Sequence, residues 1–473
     1  MDDYRYKVIV DPIHGDIGLT KLETDLLNTP SFQRLRRIKQ LGFASIVYPN
    51  ANHTRFGHSL GALYIMGRVC TLFQNKRKLK DDEVKILRIA ALLHDIGHYP
   101  YSHLMEFLEW DQYEDTLIAE KNANSTPQSL EAIKPFEPYP KHEQLGSLII
   151  EHRNDVKQLL ENNDINPAEI SAIISGSHTA LPNFLHYSLD IDRIDYLMRD
   201  SLNTGVPYGR IDGNYILNNL DITDNREVVI KPKAKAAAEH LLVARYFMFK
   251  NVYFHKTIQA FEGMLRNFLM LLHREDKLYK SGKDIKDIVS TNSEEFLRFD
   301  DSYIDRFVDE YTHNGLSGTM EILAKAIKLR KRPKLVHEIA YLSGSKDNAR
   351  FEEFTFFTAL KSRLLTKLKE QFGIPEPLWI WEDSKGIRFE KMDPFVSISK
   401  AQDIESAEVR ELIQVKETDG RITKLIEDQN SVAYHLSQLK QTLVRLYVVE
   451  ENEQKIAAIK SQVTAWITTR KIA

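Results

Sequence analysis

The nine residues Ala90-Ala91-Leu92-Leu93-His94-Asp95-Ile96-Gly97-His98 decide how this chain is read. An apolar stretch runs straight into a histidine, an aspartate and then a second histidine. Val84, Leu87, Ala91, Leu92 and Leu93 predict a helix over Glu83 to Leu93, buried in a bundle and capped by Asp81 or Asp82. Each helical residue advances direction by about 100°, so His94 and Asp95 do not stack, yet both can edge one cleft. His98 shares the His94 face if the helix continues, whereas Gly97 and Pro100 predict that it soon stops. Imidazole and carboxylate together suit Mn, Fe, Zn, Ni or Mg, the last favouring oxygen ligands. A lone His-Asp pair is more often structural. The full string weighs toward metal, because a buried helix end gains little from three unpartnered polar side chains.

The remaining ligands must come from elsewhere. His58 lies in His53-Thr54-Arg55-Phe56-Gly57-His58-Ser59-Leu60-Gly61, at the start of a predicted helix over Leu60 to Phe73. Asp192 lies in Asp190-Ile191-Asp192-Arg193-Ile194-Asp195-Tyr196, carboxylates at the edge of an apolar helix. With His94 and Asp95 these would leave coordination positions for water or phosphate oxygen. His98, His103 and His142 are candidates for positioning or protonation, and Arg55 and Arg193 for gripping phosphate. Spacing alone does not bring His58 and Asp192 to His94.

Farther out, 473 residues at 42% hydrophobic content support more than one domain. Lys7 to Val10 reads as a strand or extended arm ending in a turn at Asp11-Pro12 and His14-Gly15. Leu22 to Leu41 is amphipathic and interrupted by Pro30, with Thr29 as a cap. Tyr113 to Tyr139 reads as a polar insert. Helical patterns resume after Lys141, at Ile165 to Ile174, Ser188 to Arg199, Ala234 to Met270 and Met320 to Arg330. After residue 331 the pattern changes: Ile387 to Glu390, Ile413 to Lys416 and Leu446 to Val449 predict strands, and Ser431 to Leu443 a helix. The expected architecture is mainly α, a helical domain over 1–330 and a smaller α+β region over 331–473.

Twelve of the sixteen histidines stand at or before His255, which concentrates the chemistry in the N-terminal part. The net charge of −3 disfavours a nucleic-acid coat without excluding a local basic pocket. Cys70, the single cysteine, excludes an internal disulfide and thiolate-rich zinc sites. No stretch approaches the ~20 apolar residues of a membrane span, and the opening residues lack a signal-peptide pattern. A reducing cytoplasm is the expected setting.

Taken in order, further strings resemble one family. They are Lys7-Val8, Asp11-Pro12-Ile13-His14-Gly15, Phe32-Gln33-Arg34-Leu35-Arg36, Ile38-Lys39-Gln40-Leu41-Gly42, the His53 and His94 strings extended through Tyr99-Pro100-Tyr101-Ser102-His103, Lys141-His142-Glu143-Gln144, Asp192 to Asp200, and Tyr253-Phe254-His255-Lys256. Over roughly residues 7 to 256 the chain resembles the HD-domain deoxynucleoside triphosphate triphosphohydrolases, the dGTPase-like group that includes the sterile-alpha-motif and HD-domain dNTPases. The resemblance implies an HD-domain helical bundle and one divalent metal held by His58, His94, Asp95 and Asp192. It implies His142 as the catalytic histidine, His98 and His103 near the phosphates, and Arg55 on a phosphate. Gln40, Leu41 and Asp200 would meet the sugar, Gln40 and Asp200 at its 3′-hydroxyl. Tyr196 would crowd the 2′ position, and Tyr253 would line the nucleotide wall. The implied reaction is water attack at the α-phosphorus, releasing deoxynucleoside and triphosphate.

The resemblance also implies an allosteric homotetramer, with a regulatory nucleotide and its own Mg between subunits. Lys7, Val8, Gln33 and Arg36 match that region, and Lys231 and Lys233 fall where relatives hold phosphate. Asn28 replaces the aspartate of a guanine-activated member and cannot offer two acceptor oxygens, so guanine specificity does not follow. Phe249 replaces a polar position, and no interaction domain is expected ahead of Lys7.

Two rivals stay open: another metal phosphohydrolase acting on monophosphates or cyclic signals, and a non-catalytic nucleotide or nucleic-acid-binding scaffold. Lys76-Arg77-Lys78 and the run Lys328 to Lys334 read first as solvated or subunit-facing surface. Arg34, Arg36 and Arg37 suit either phosphate contacts or salt bridges. His178, His186 and His240 read as structural, and Phe247, Phe249 and Phe254 as core.

Overall fold

The computed structural model describes residues 6–106, 139–185, 187, 189–274, 277, 281–313, 318–342, 348–387, 412–437 and 441–470. The expected insert over Tyr113 to Tyr139 (Tyr139 apart), His186 and the 388–390 part of one expected strand lie outside them.

The molecule is mainly helical. Strands β1 (Lys7–Asp11) and β2 (Gly15–Leu19) form an antiparallel hairpin whose turn uses Gly15 at φ 70°. Helix α1 (Lys21–Leu27) opens with a reciprocal capping box between Thr20 and Glu23. Thr29 caps the next turn as predicted, its hydroxyl accepting from the Phe32 amide, but only one α-turn follows Pro30 before 3-10 structure takes over. Long α2 (Arg55–Asn75) packs along α3 (Asp81–Leu93). α3 starts at Asp81 with Lys80, not an aspartate, at the N-cap. Next come α4 (His142–His152), α5 (Pro167–Ile174) and α6 (Ile191–Thr204), which packs on α2. Asp190 caps α6 by accepting the Arg193 amide.

The long helical region predicted over Ala234 to Met270 is two helices, α7 (Lys235–Met248) and α8 (Lys256–Arg274). A π-helical turn at Phe249–Tyr253 separates them. α9 (Asp301–His313) packs against α10 (Thr319–Lys328).

Beyond residue 330 three strands form an antiparallel sheet in the order β5 (Lys334–Leu342), β9 (Gln441–Val448), β6 (Trp379–Ile387). β5 has no counterpart in the sequence reading, because Lys334 and the basic run before it hide the alternation. The expected helix over Ser431 to Leu443 is shorter, Val432–Ser437, and the chain is already strand by Gln441. β7 (Gln414–Lys416) and β8 (Ile422–Lys424) flank the predicted turn, with Gly420 at φ 89°. They join β3 (Leu220–Ile222) and β4 (Val228–Ile230) in one four-stranded sheet, Ile230 pairing in parallel with Val415.

One continuous apolar core includes Leu63, Met66, Leu92, Leu93, Ile96, Leu197 and Phe261. Among the described residues, no helix is long and apolar enough to cross a membrane.

Candidate active site

Three helix ends converge at the histidine-aspartate string. α3 stops at Leu93, His94 takes its C-cap, and the chain turns through Ile96 and His98. His58 comes from the first turn of α2 and Asp192 from the first turn of α6. His58 Nε2 lies 3.3 Å from His94 Nε2 and 2.7 Å from Asp192 Oδ1. His94 Nε2 lies 3.3 Å from Asp95 Oδ1 and 3.7 Å from Asp192 Oδ1. One group of potential ligand atoms from His58, His94 and Asp95 spans no more than 4.8 Å. His58 and Asp95 are buried, while Asp192 keeps a third of its side chain exposed.

The outer contacts orient both rings. His94 Nδ1 is 2.8 Å from the Ala91 carbonyl, which only accepts, so Nδ1 donates and Nε2 faces the cluster. His58 Nδ1 donates to Asp195 Oδ2 at 2.7 Å. Asp195 is held in turn by His14 Nε2 at 2.7 Å and by the Arg199 guanidinium at 2.8 and 3.0 Å. Arg199 also reaches Asp11 at 2.8 Å. A Cβ on Gly61 would stand 1.8 Å from Asp195 Oδ1, so this bracing requires glycine there.

The electrostatics favour a cation. Burial opposes charge on His58, but Asp192 and Asp195, with Asp95 nearby, raise it to about 10. Burial also opposes charge on Asp95 and Asp192, and the surrounding histidines, with Arg55 for Asp95, hold both well below the usual carboxylate range. Two inward Nε2 atoms and two carboxylates fit a divalent ion.

A second cluster adjoins the first. His98 does not share the His94 face, because the helix has ended. Instead its Nε2 lies 3.2 Å from Asp95 Oδ1 and its ring stacks on His142 at 4.0 Å between centroids. His103 stands edge-on to both rings. Glu106 Oε1 accepts from the His142 amide and from its Nδ1, each at 2.7 Å, and Oε2 lies 3.0 Å from His103 Nδ1. Burial works against charge on His142, but Glu106, together with Glu143 and Asp95, outweighs it and raises the imidazole. Burial lowers His98 and His103. Arg55 donates to Asp95 at 2.9 Å and to the Ser102 hydroxyl at 3.0 Å. Arg193 instead lies 3.8 Å from Asp190.

A further polar group centres on Asp200. Tyr253 donates to Asp200 Oδ2 at 2.7 Å, and His53 Nε2 sits 2.7 Å from Asp200 Oδ1. The Gln40 amide donates to the His53 carbonyl at 3.0 Å, with Leu41 half-buried beside it. Gln40 Oε1 is buried and without a partner. The Tyr196 ring meets Tyr253 edge-on at 6.3 Å.

The residues matched to a regulatory site fall elsewhere. Lys7 and Val8 are exposed on β1. Asn28 is exposed at the end of α1, and Gln33 ties to the Leu27 carbonyl and to Arg36 at 2.8 Å each. Lys231 and Lys233 follow β4, half-buried and exposed. Several other cations have structural partners: Arg34 donates to the Ile96 and Phe299 carbonyls, Arg37 to Asp300, Lys78 to Asp221 and Lys331 to Glu451. Phe247 is not core: it is 39% exposed and stacks on Tyr208.

Sequence reasoning left out the bracing residues His14, Asp195, Arg199, His53 and Glu106. Four of them stand within strings already quoted. Asp195, three residues after Asp192 on one helix, carried the strongest signal.

Comparison places this arrangement among known proteins. The HD domain profile matches residues 55–200 and the HD associated region residues 211–313. The chain is 33% identical over 309 residues to the uncharacterized protein MJ1154 of Methanocaldococcus jannaschii, covering 64% of this chain and 57% of that protein. The match to the uncharacterized protein MG461 of Mycoplasma genitalium is 30% over 338 residues, 67% of this chain and 74% of that one. The match to human deoxynucleoside triphosphate triphosphohydrolase SAMHD1 is 32% over 220 residues, 42% of this chain and 34% of that one. A solved phosphohydrolase of Bacteroides thetaiotaomicron superposes with a TM-score of 0.68 at 25% identity, covering 93% of this chain and 99% of that one. The chain spans 57% of MJ1154 and of Bacillus subtilis YwfO. With the HD profile lying over the converging helix ends and kinship along three quarters of MG461, the chain belongs to the HD-domain phosphohydrolase superfamily and is a distant relative of the SAMHD1-type dNTPases.

Proposed function

We propose that the chain is a metal-dependent dNTP triphosphohydrolase releasing deoxynucleoside and inorganic triphosphate. The observation that carries this reading is the convergence of His58, His94, Asp95 and Asp192, linked through Arg55 and the Ser102 hydroxyl to Gln40. Those four groups would hold one divalent ion, which when bound polarises a phosphate oxygen and activates water.

The other residues do the rest. Arg55 faces the phosphates, its guanidinium oriented by Asp95 and Ser102. His142, its imidazole raised by Glu106, donates a proton at the leaving oxygen, and His98 and His103 line the phosphate side. Gln40 and Asp200 meet the 3′-hydroxyl, a role that suits the unpartnered Gln40 Oε1. Leu41 and Tyr253 line the nucleoside wall, and Tyr196 excludes an added 2′ oxygen by volume. Lys7, Val8, Asn28, Gln33, Arg36, Lys231 and Lys233 are assigned to a regulatory nucleotide, with Mg, between subunits of a tetramer.

The test is hydrolysis of each dNTP with Mn, Mg, Fe, Ni or Zn, alone and with a second nucleotide, followed by mass analysis of products. Triphosphate and deoxynucleoside are expected. Orthophosphate or an opened phosphodiester would replace this reading with another phosphohydrolase activity, and no turnover with any metal would leave a binding scaffold.

A further inference from the structure

Asp301, the first residue of α9, lies outside the matched HD domain and has no part in the site as described so far. It is 6% exposed, and its two carboxylate oxygens go to separate segments of the site wall. Oδ2 accepts the Lys39 amide at 3.0 Å and Oδ1 the Tyr101 amide at 2.7 Å.

The first segment leads directly into Gln40. The second is the turn Tyr101-Ser102, where two consecutive non-glycine residues have φ of 55° and 61°. L-residues rarely adopt that conformation, and a consecutive pair persists only where its surroundings hold it. The holding contacts come from α9: Asp301 on the Tyr101 amide and Asp305 on the Tyr101 hydroxyl at 2.5 Å. The turn places the Ser102 hydroxyl to accept from Arg55 Nε at 3.0 Å. Its proton has the Lys39 carbonyl at 2.8 Å and the Gln40 carbonyl at 3.1 Å as acceptors. One buried carboxylate therefore joins the segment that carries Gln40 to the serine that holds Arg55.

We propose that Asp301 is a positioning residue that sets the separation between Gln40 and Arg55, and through it the match to a sugar 3′-hydroxyl and a phosphate on one nucleotide. The inference rests on the roles given above to Gln40 and Arg55. Asp301→Asn is nearly isosteric but presents an NH2 to one of the two amides, so one tie must break.

The full-length Asp301→Asn protein, loaded with Mn, is compared with wild type by hydrogen exchange, metal content and kinetics on a dNTP and its 2′,3′-dideoxy counterpart. Exchange at the Lys39 amide or the Tyr101 amide, whichever loses its acceptor, should accelerate while bound metal is unchanged. The kcat/KM preference for the dNTP over the dideoxy compound should fall by about tenfold or more, with KM for the dNTP raised. Ser102→Ala, which leaves Asp301 intact, should lower the same preference and decides the matter if Asp301→Asn does not fold. Wild-type protection at both amides would overturn the proposal, as would faster exchange with an unchanged preference. Failure of the triphosphohydrolase reading shows separately, as wild-type protein that turns over no dNTP, and the exchange result still decides whether Asp301 ties the two segments.

Discussion

Asp195 Oδ2 accepts from His58 Nδ1 at 2.7 Å, and the same carboxylate is braced by His14 and Arg199. The imidazole that faces the centre is thereby fixed in tautomer and direction by a group that does not face it. Asp195→Asn should weaken metal affinity by about 10–100-fold. Chelator competition on the Mn-loaded protein checks this, and an unchanged midpoint would reject the bracing role.

Asp192 is the most exposed of the four candidate ligands, with its side chain 33% accessible. Asp192→Ala should lose bound metal and lower turnover roughly a thousandfold, while far-UV circular dichroism stays near wild type. EDTA treatment of the wild-type protein should give the same loss, reversed on adding Mn. Retention of both metal and turnover in the variant would refute the ligand assignment.

Glu106 raises His142 against the effect of burial. A proton donor works below its pKa and fails as pH rises through it. Glu106→Gln removes the raising contact, so the alkaline limb of kcat/KM should move to lower pH. A limb that stays in place would show that His142 is not the titrating donor.

The Tyr196 ring stands edge-on to Tyr253 in the proposed nucleoside wall. Tyr196→Ala should reduce discrimination against rNTPs by about tenfold or more. Competing a dNTP with its ribonucleotide in one assay measures this directly, and an unchanged ratio removes Tyr196 as a gate.

Glu262 stands on α8, where burial together with repulsion from Glu382 on β6 raises its carboxyl to about 8. Its folded pKa lies above its unfolded value. It is therefore neutral and harmless in acid, and stability falls as pH rises from the unfolded pKa through about 8. Glu262→Gln should stabilise the protein at pH ~9 by about 2 kcal/mol and change little at pH ~5. Thermal melts at the two values check the sign, and an equal effect at both would exclude ionisation as the cause.

Much of the site could be read locally. The apolar run ahead of His94 and the Gly97 and Pro100 that end it act through neighbouring residues and place His94 and Asp95 at a helix end, whereas the helix read over Ser188 to Arg199 starts only at Ile191, capped by Asp190, which puts Asp192 in its first turn. The strands near Val415 and Leu446 also showed in the sequence, whereas β5 did not, because Lys334, His337 and Glu338 give it the pattern of solvent-facing surface. The reading of Phe247 as core failed because an aromatic residue on a helix carries no local sign of which neighbour will cover it.

By itself the sequence determined the helical class, the family resemblance and the residue types able to grip a metal and a phosphate, since periodicity, capping and motif order are properties of adjacent residues. Tertiary structure alone decided that His58 meets His94 across 36 positions, that Asp195 and Glu106 orient the histidines, and that Asp301 reaches Lys39 across 262. The physical reason is that those contacts depend on how whole helices pack. A side chain's direction relative to a distant helix is set by the core between them, not by its own neighbours.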